Sequence, residues 1–270
     1  KEKEWRDKKM SMKYDFTTIL NREGTGAIAV SKIPFDNAEI KEGFSKIPMW
    51  VADMNYATAP SVIEAIQNRL AHPVFGYFDI KDAYSESIIE WQKTRNGVTD
   101  IPKEAIDYEN GVLGGVVSTL NACANPGDSV LVHSPTYIGF THSLSNAGYR
   151  IVHSPLIQDA NGVYRMDFED MEKKLREKHI HVAIFCSPHN PTGRVWEREE
   201  LEQAMQLYKK YDCVVISDEI WSDIILPGYA HIPTQSVSED ARNRTVALYA
   251  PSKTFNLAGL LSITKPCAIR

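Results

Sequence analysis

Four short apolar runs between residues 130 and 248 constrain the fold of this chain more than any other feature of its sequence. They cover residues 130–132, 182–185, 214–216 and 246–248, are rich in β-branched residues, and do not alternate with polar residues. Short continuous runs of this kind are typical of strands that are buried on both faces. The pattern therefore indicates a sheet whose strands are mostly parallel.

Helical spacing marks two further stretches, residues 167–178 and 199–211. The apolar positions that repeat at helical intervals there are Phe168, Met171 and Leu175 in the first stretch and Leu201, Ala204, Met205 and Tyr208 in the second. Asp167 is a candidate N-cap for the first helix. Strand, helix and strand thus alternate, which favours right-handed crossovers. The sequence predicts an α/β fold with a mostly parallel sheet and helices on both faces.

The first 53 residues differ from the rest because they are irregular. They contain Pro34, Pro48 and three glycines and show no sustained period. We predict an N-terminal arm and a partial small domain over residues 1–53 and a large domain over residues 54–270. The charged run at residues 1–9 is interpreted as a solvated arm.

Polar residues follow three of the predicted strands. Lys253, Asp218 and Asn190 each come after an apolar run. In open α/β sheets, ligands bind outside the carboxyl ends of the strands, so an amine, a carboxylate and an amide are expected to converge there. Together they suit pyridoxal 5′-phosphate (PLP). The amine can condense with its aldehyde, the carboxylate can hold a proton on the pyridine nitrogen, and the amide can bond the phenolic oxygen.

Each of these residues also has an ordinary structural interpretation. An isolated lysine is usually a solvated surface charge. Asp218 can cap a helix or form an ion pair, although a carboxylate without a partner at the end of an apolar strand would be costly. Asn190 precedes Pro191, Thr192 and Gly193, a composition typical of turns.

A family resemblance is carried by the order and the amino-acid sequence of four short segments, at residues 50–54, 187–196, 217–220 and 250–260. They resemble the fold-type I PLP-dependent enzymes of the aminotransferase class I/II superfamily. Within that superfamily they are most similar to the cystathionine β-lyase branch of C–S lyases. The resemblance runs from about Met12 to about Leu260, so it covers nearly the whole chain.

The resemblance implies specific roles for several residues. Lys253 would bind the cofactor and remove the α-proton of the substrate, with Ser252 beside it in the cofactor-binding set. Asp218 and Asn190 would hold the ring, and Tyr137 would stack on it unless it is a core tyrosine.

Gly114, Gly115 and Val116 match the phosphate loop of the same family. They precede a predicted helix at residues 118–124, and amides at a helix start bind phosphate without a basic side chain. The glycine pair alone is weak evidence, and it is also the single feature that suggests a nucleotide-binding protein.

Tyr77 matches a tyrosine that reaches the phosphate of the neighbouring subunit, which implies a homodimer with shared active sites. Two features depart from the family pattern. Trp221 stands where aminotransferases carry a tyrosine and where the lyase branch usually carries a histidine. The arginine that binds the substrate carboxylate lies in a C-terminal part that this chain is predicted to lack, so no residue, including Arg270, is assigned that role.

The function implied is α,β-elimination from a small-molecule amino acid, a cysteine conjugate such as cystathionine, to give a thiol, pyruvate and ammonia. Transamination shares its first step and stays open as an alternative. A catalytically impaired PLP-binding protein is the third hypothesis, because the chain is predicted to lack the family's C-terminal part.

Composition excludes other classes of function. The formal net charge of −5, with acidic and basic residues interspersed, argues against a nucleic-acid-binding groove. No apolar stretch approaches the roughly 20 residues of a membrane-spanning helix, and the charged N-terminus does not resemble a signal peptide, which predicts a cytoplasmic protein. The four cysteines and the histidines lack metal-ligand spacing, so no metal site is predicted.

Overall fold

The computed structural model describes residues 14–31, 42–43, 47–260 and 263–266. The charged run at residues 1–9 lies outside the described residues. The chain divides into two compact units, Lys1–Asp79 with Phe255–Leu260 and Ile80–Thr254 with Leu261–Arg270. The domain boundary expected between residues 53 and 54 stays a prediction.

The first unit contains two described helices, α1 at Ile28–Ser31 and α2 at Pro60–Leu70. Proline suits the first turn of α2 because its fixed φ is preorganised for a helix and it needs no hydrogen-bond acceptor there. The side chain of Asn256 bonds both backbone groups of Met54: Met54 N donates to Asn256 Oδ1 at 3.1 Å, and Asn256 Nδ2 donates to Met54 O at 3.0 Å. This pair joins residues 255–260 to the rest of the first unit.

The second unit alternates helices and strands over most of its length. In chain order its elements are α3 (Asp82–Asn96), β1 (Ile106–Glu109), α4 (Val112–Cys123), β2 (Ser129–Ser134), α5 (Ile138–Asn146), β3 (Arg150–Gln158), β4 (Tyr164–Met166), α6 (Phe168–Glu177), β5 (Val182–Cys186), α7 (Arg198–Lys210), β6 (Val214–Asp218), α8 (Glu239–Arg244), β7 (Thr245–Leu248), α9 (Pro251–Thr254) and β8 (Ile263–Pro266). Short 3₁₀ turns lie at Lys103–Ala105 and Thr234–Ser236.

The main sheet has six strands in the order β4-β3-β2-β5-β6-β7, and all its neighbours are parallel except β3 and β4. β1 and β8 form a separate antiparallel pair. The four strands predicted from apolar runs are confirmed as β2, β5, β6 and β7. The predicted α/β fold with a mostly parallel sheet is confirmed.

Both faces of the sheet are buried, as the continuous apolar runs predict. One core cluster contains Leu131 and Phe185 and packs against α6 and α7, whereas the other contains Val130 and Ile184 and packs against α4 and α5. Successive side chains of a strand point to opposite faces. Each strand therefore needs apolar residues at every position.

The ends of the helices follow local capping chemistry. Asp167 caps α6 as predicted, since its carboxylate accepts a hydrogen bond from Asp170 N at 3.0 Å. Glu197 and Glu200 form a capping box at the start of α7.

The start predicted for α4 is wrong, because the helix begins at Val112 rather than at residue 118. Gly111 allows this early start with φ 88° and ψ 147°, a conformation open essentially only to glycine. Gly115 then lies inside the helix for a packing reason. A Cβ at that position would lie 3.0 Å from Leu248 Cδ2 on β7. The glycine therefore lets α4 approach the sheet closely.

The order in which the chain adds strands to the sheet reverses at β2. From β2 the chain first continues to β3 on one side, and β5 then pairs with the other side of β2. Crevices for ligands form outside the carboxyl ends of strands at such a switch point. The carboxyl ends of β2, β5, β6 and β7 therefore define the region in which to look for an active site.

Candidate active site at the carboxyl ends of the parallel strands

Lys253 lies in α9, the single helical turn that follows β7. Its Nζ lies 5.6 Å from the centre of the Trp221 ring, within the range of a cation–π interaction. Ser252 precedes it in the same turn and is half-buried. The turn thus presents the amine to the segment that follows β6.

Asp218 is the last residue of β6 and is only 4% exposed. The strand register aligns it with Cys186 of β5 on one side and Leu248 of β7 on the other. Its Oδ1 accepts a hydrogen bond from Ile220 N at 3.1 Å.

Burial raises the pKa of Asp218 to about 7. The Ile220 N–H opposes this rise, the charge of Glu219 adds to it, and the charge of Lys253 opposes it. A desolvated carboxylate of this kind is stabilised by a ligand group that brings a proton or a positive charge. Asp218 is therefore suited to bind a protonated ring nitrogen.

Asn190 opens the turn that follows β5. Its backbone N–H points to Cys186 Sγ at 3.4 Å, and the Ser187–Pro188 and Asn190–Pro191 peptide bonds are cis. The turn is closed by a hydrogen bond from His189 N to Arg194 O at 2.8 Å. Asn190 therefore belongs to a turn, as its neighbours predict, and that turn lies at the carboxyl end of a central strand. The turn and ligand interpretations are compatible.

The first turn of α4 provides backbone donors for an anion. The N–H groups of Val112, Leu113 and Gly114 precede the first intrahelical bond, which Gly115 N makes to Gly111 O at 3.0 Å. The first amides of a helix have no carbonyl within the helix to bond and carry the positive end of its dipole. Gly114, Gly115 and Val116 were expected in this role. Of these, Gly114 precedes the first intrahelical bond, whereas Gly115 N makes that bond and Val116 lies further inside the helix. Val112 and Leu113 were missed because the predicted helix started too late.

Tyr137 follows β2 and is the N-cap residue of α5. Its ring meets Phe140 edge to face, with centroids 5.4 Å apart, and is 38% exposed. Gly139 makes room for the ring, because a Cβ there would collide with Tyr137 Cε1. One edge of the tyrosine packs on the core, and the rest is open to a ligand.

Glu219, next to Asp218, is a buried acidic residue to which the sequence assigned no role. Its Oε1 accepts hydrogen bonds from Ser217 Oγ at 2.9 Å and from Thr234 N at 3.0 Å. Its Oε2 contacts His231 Nε2 at 2.7 Å and accepts a hydrogen bond from the Tyr249 hydroxyl. Burial opposes ionisation of Glu219, but these partners together lower its pKa. Glu219 is therefore an ionised carboxylate within the core.

Tyr77 belongs to the first unit, and its side chain is fully exposed. A role for it at the site stays a prediction. The part of the chain that the structure describes contains no cluster of three or more His, Cys, Asp or Glu side chains arranged to hold a metal ion. Among the same residues, no helix is both long and apolar enough to span a membrane.

Comparison with known proteins supplies a context for this geometry. The family model described as "Aminotransferase class I and II" matches residues 45–263. Cystathionine beta-lyase PatB of Bacillus subtilis (strain 168) is 40% identical over 214 residues, which cover 79% of this chain and 55% of that protein.

Two solved structures resemble this one closely. Cystalysin from Treponema denticola, which contains a pyridoxal 5′-phosphate cofactor, has a TM-score of 0.87 and 34% identity, covering 96% of this chain and 64% of that chain. A PLP-bound putative aminotransferase from Clostridium difficile 630 has a TM-score of 0.85 and 35% identity, covering 95% of this chain and 65% of that chain. This chain thus spans between about half and two thirds of the length of these relatives.

Proposed function

Because this chain belongs to the aminotransferase class I and II family, as its four short segments predict, we propose that it is a PLP-dependent carbon–sulfur β-lyase. Its substrate is a small-molecule amino acid, a cysteine conjugate such as cystathionine, and its products are a thiol, pyruvate and ammonia. The observation that carries the proposal is the buried carboxylate of Asp218, whose pKa responds to the charge of Lys253. The similarity to PatB and cystalysin supports the lyase reaction.

The residues present fit PLP in their chemistry. Asp218 is desolvated and is stabilised by a protonated partner, which the pyridine nitrogen provides. Val112, Leu113 and Gly114 offer first-turn amides to a phosphate. Lys253 offers a primary amine to the aldehyde. These groups lie at the ends of neighbouring elements of the second unit.

When bound, PLP supplies a ring that accepts the electron pair left behind when the substrate loses its α-proton. Asp218 contributes by holding a proton at the pyridine nitrogen, an interaction that strengthens as negative charge develops in the transition state. Lys253 acts as the base that takes the proton from Cα. Asn190 donates its side-chain amide to the phenolic oxygen, and Tyr137 limits the movement of the ring with its exposed face.

The lyase outcome depends on the substrate as well as on the enzyme. After Cα loses its proton, the Cβ–S bond breaks and the thiolate leaves with the bonding electron pair. Hydrolysis of the remaining three-carbon fragment gives pyruvate and ammonia. Aminotransferases share the proton removal and differ in where the proton returns. Similarity to a putative aminotransferase supports transamination as a second candidate function.

A third candidate is a catalytically impaired PLP-binding protein. It stays a candidate because no described residue is assigned to bind the substrate carboxylate. We also propose that the protein works in the cytoplasm as a homodimer with shared sites, and the exposed side chain of Tyr77 supports the second part of that proposal.

A product assay separates the three candidates. The purified protein, loaded with PLP, is incubated with L-cystathionine, and the thiol and pyruvate are measured in parallel. Equal amounts of both are expected, with none from Lys253→Ala. Amino transfer from an amino acid to a 2-oxo acid without thiol release would favour the aminotransferase. Bound PLP with neither reaction would favour the impaired protein.

A further inference from the structure

The buried carboxylate of Glu219 has four hydrogen-bond partners, two on each oxygen. Ser217 Oγ and Thr234 N bond Oε1, and His231 Nε2 and the Tyr249 hydroxyl bond Oε2. Glu219 is 0% exposed. A buried charge is stable only when such bonds replace its hydration. Four groups therefore stabilise one buried charge, although Glu219 has no part in the proposed reaction.

The position of this carboxylate in the sheet indicates its purpose. Backbone pairing between β6 and β7 continues as far as the bond from Glu219 N to Leu248 O, 2.9 Å long. After that bond the first segment leads to Trp221 and the second to Lys253. The bond between Tyr249 and Glu219 connects the same two segments one residue further along.

Tyr249 is also fixed from its other side. Its hydroxyl forms a side-chain hydrogen bond with Gln92 of α3, and Gln92 Oε1 in turn accepts a bond from Asn96 Nδ2 at 2.7 Å. Ser217, which bonds Glu219 from within β6, also bonds Thr234 Oγ1 at 2.9 Å. The carboxylate of Glu219 thus lies at the centre of a network that reaches β6, β7, α3 and the turn at Thr234–Ser236.

We propose that Glu219 is a positioning residue that connects the segment carrying Asp218 to the segment carrying Lys253, so that both side chains can engage the same small ligand. The inference rests on the proposed function, since it names PLP as that ligand. Glu219 touches neither the cofactor nor the substrate in this role. It acts through Asp218, its neighbour in sequence, and through Tyr249, which lies four residues before Lys253.

A double-mutant cycle tests the connection without measuring catalysis. Pyridoxine 5′-phosphate carries an alcohol in place of the aldehyde, so it reports binding at Asp218 without reacting with Lys253. Its dissociation constant is measured by calorimetry for the unmodified protein, Glu219→Gln, Asp218→Asn and the double variant. Glu202→Gln, on the exposed surface of α7, serves as the control for loss of one negative charge.

Glu219→Gln is expected to weaken binding of pyridoxine 5′-phosphate by about tenfold, the loss typical of a hydrogen bond to a charged group. In the Asp218→Asn background the same change should have little effect, because the residue through which Glu219 acts is gone. Unchanged binding in Glu219→Gln overturns the inference. An equal loss in both backgrounds also overturns it, because Glu219 would then support the fold in general.

Tyr249→Phe provides a second variant in case Glu219→Gln does not fold. It keeps the carboxylate and removes the connection towards Lys253. On mixing with PLP it should develop the visible absorption of lysine-bound cofactor about tenfold more slowly, while its affinity for pyridoxine 5′-phosphate stays nearly unchanged. An unaltered rate contradicts the inference. Failure of the unmodified protein to bind PLP at all would refute the proposed function instead. The two failures are distinguishable, because one is measured on the unmodified protein and the other on the variants.

Discussion

Lys253 Nζ lies 5.6 Å from the centre of the Trp221 ring, so the amine faces the π system of an indole. This contact joins the turn after β7 to the segment after β6 and is favourable to a charged lysine. Trp221 replaces the tyrosine or histidine that the family resemblance leads one to expect at this position. An indole can donate a hydrogen bond only through its ring N–H and has no group that gains or loses a proton as an acid or base near neutral pH. We therefore propose Lys253, and not its aromatic neighbour, as the residue that transfers protons at this site.

Lys253→Ala should abolish covalent attachment of the cofactor, because no other primary amine is placed in this turn. The purified protein is mixed with PLP, reduced with borohydride, and weighed intact by mass spectrometry. The mass of the reduced cofactor should be present on the unmodified protein and absent from the variant. Lys209→Ala, which changes an exposed lysine of α7, should behave like the unmodified protein. Cofactor fixed at full yield in Lys253→Ala would contradict the assignment.

Asp218 should make the cofactor-free protein less stable as the pH rises from about 4 to about 7. The folded protein keeps the proton on this carboxyl up to its raised pKa of about 7, whereas the unfolded chain releases it near the ordinary value of 3.8. The folded state therefore binds more protons across this window. Each pH unit in the window should cost about 1.4 kcal/mol of unfolding free energy relative to Asp218→Asn.

Urea unfolding of both cofactor-free proteins at pH 5 and pH 7 measures this difference. The stability of the unmodified protein relative to Asp218→Asn should fall between the two pH values. No such change is expected relative to Glu202→Gln, whose substituted side chain is exposed on α7. A constant difference between the unmodified protein and Asp218→Asn would show that Asp218 is already ionised in the fold.

Gly111→Ala should destabilise the protein and weaken phosphate binding, because Gly111 sets the first turn of α4 with φ 88° and ψ 147°. A residue with a Cβ is strained there by about 1–3 kcal/mol. Gly114→Ala is the matched control, since its Cβ would meet only Glu109 Oε2 at an ordinary 3.7 Å. Thermal unfolding without cofactor should show a lower melting temperature for Gly111→Ala alone. Equal melting temperatures would mean that the helix start adapts to a side chain.

Much of the fold is predictable because its strands are buried on both faces. The runs ending at Phe185 and Leu248 contain no polar residue, and both became strands of the main sheet. The start of α4 was not predictable in the same way. Two consecutive glycines suggest a loop, and the close packing that makes a glycine necessary at position 115 of the helix involves Leu248, which is distant in sequence.

Some residues of the candidate site could be predicted from sequence and others could not, again because some contacts join residues that are distant in sequence. Asp218 and Asn190 could be proposed as cofactor ligands because each follows an apolar strand in a string with a family resemblance. Glu219 lies beside Asp218 in the same string, but its partners Tyr249 and His231 are distant in sequence. A network of that kind depends on tertiary structure and leaves no local pattern. The string at the end of β6 therefore led to a prediction for Asp218 but gave no sign of the network around Glu219.

Tyr77→Phe should weaken retention of PLP without unfolding the chain. The tyrosine side chain is fully exposed in the first unit, so its hydroxyl is accessible to a second chain. If it bonds the phosphate bound by that chain, the functional unit is a symmetric dimer with two shared sites. The lost bond to a charged group would cost about 1.5–3 kcal/mol of binding free energy.

Equilibrium dialysis of PLP and sedimentation velocity test this arrangement together. Dimers are expected for the unmodified protein, for Tyr77→Phe and for the control Tyr229→Phe, which alters another exposed tyrosine. Only Tyr77→Phe should lose affinity for PLP, since only this hydroxyl is proposed to reach a phosphate. A monomer that retains the cofactor, or unchanged affinity in Tyr77→Phe, would show that each chain completes its own site.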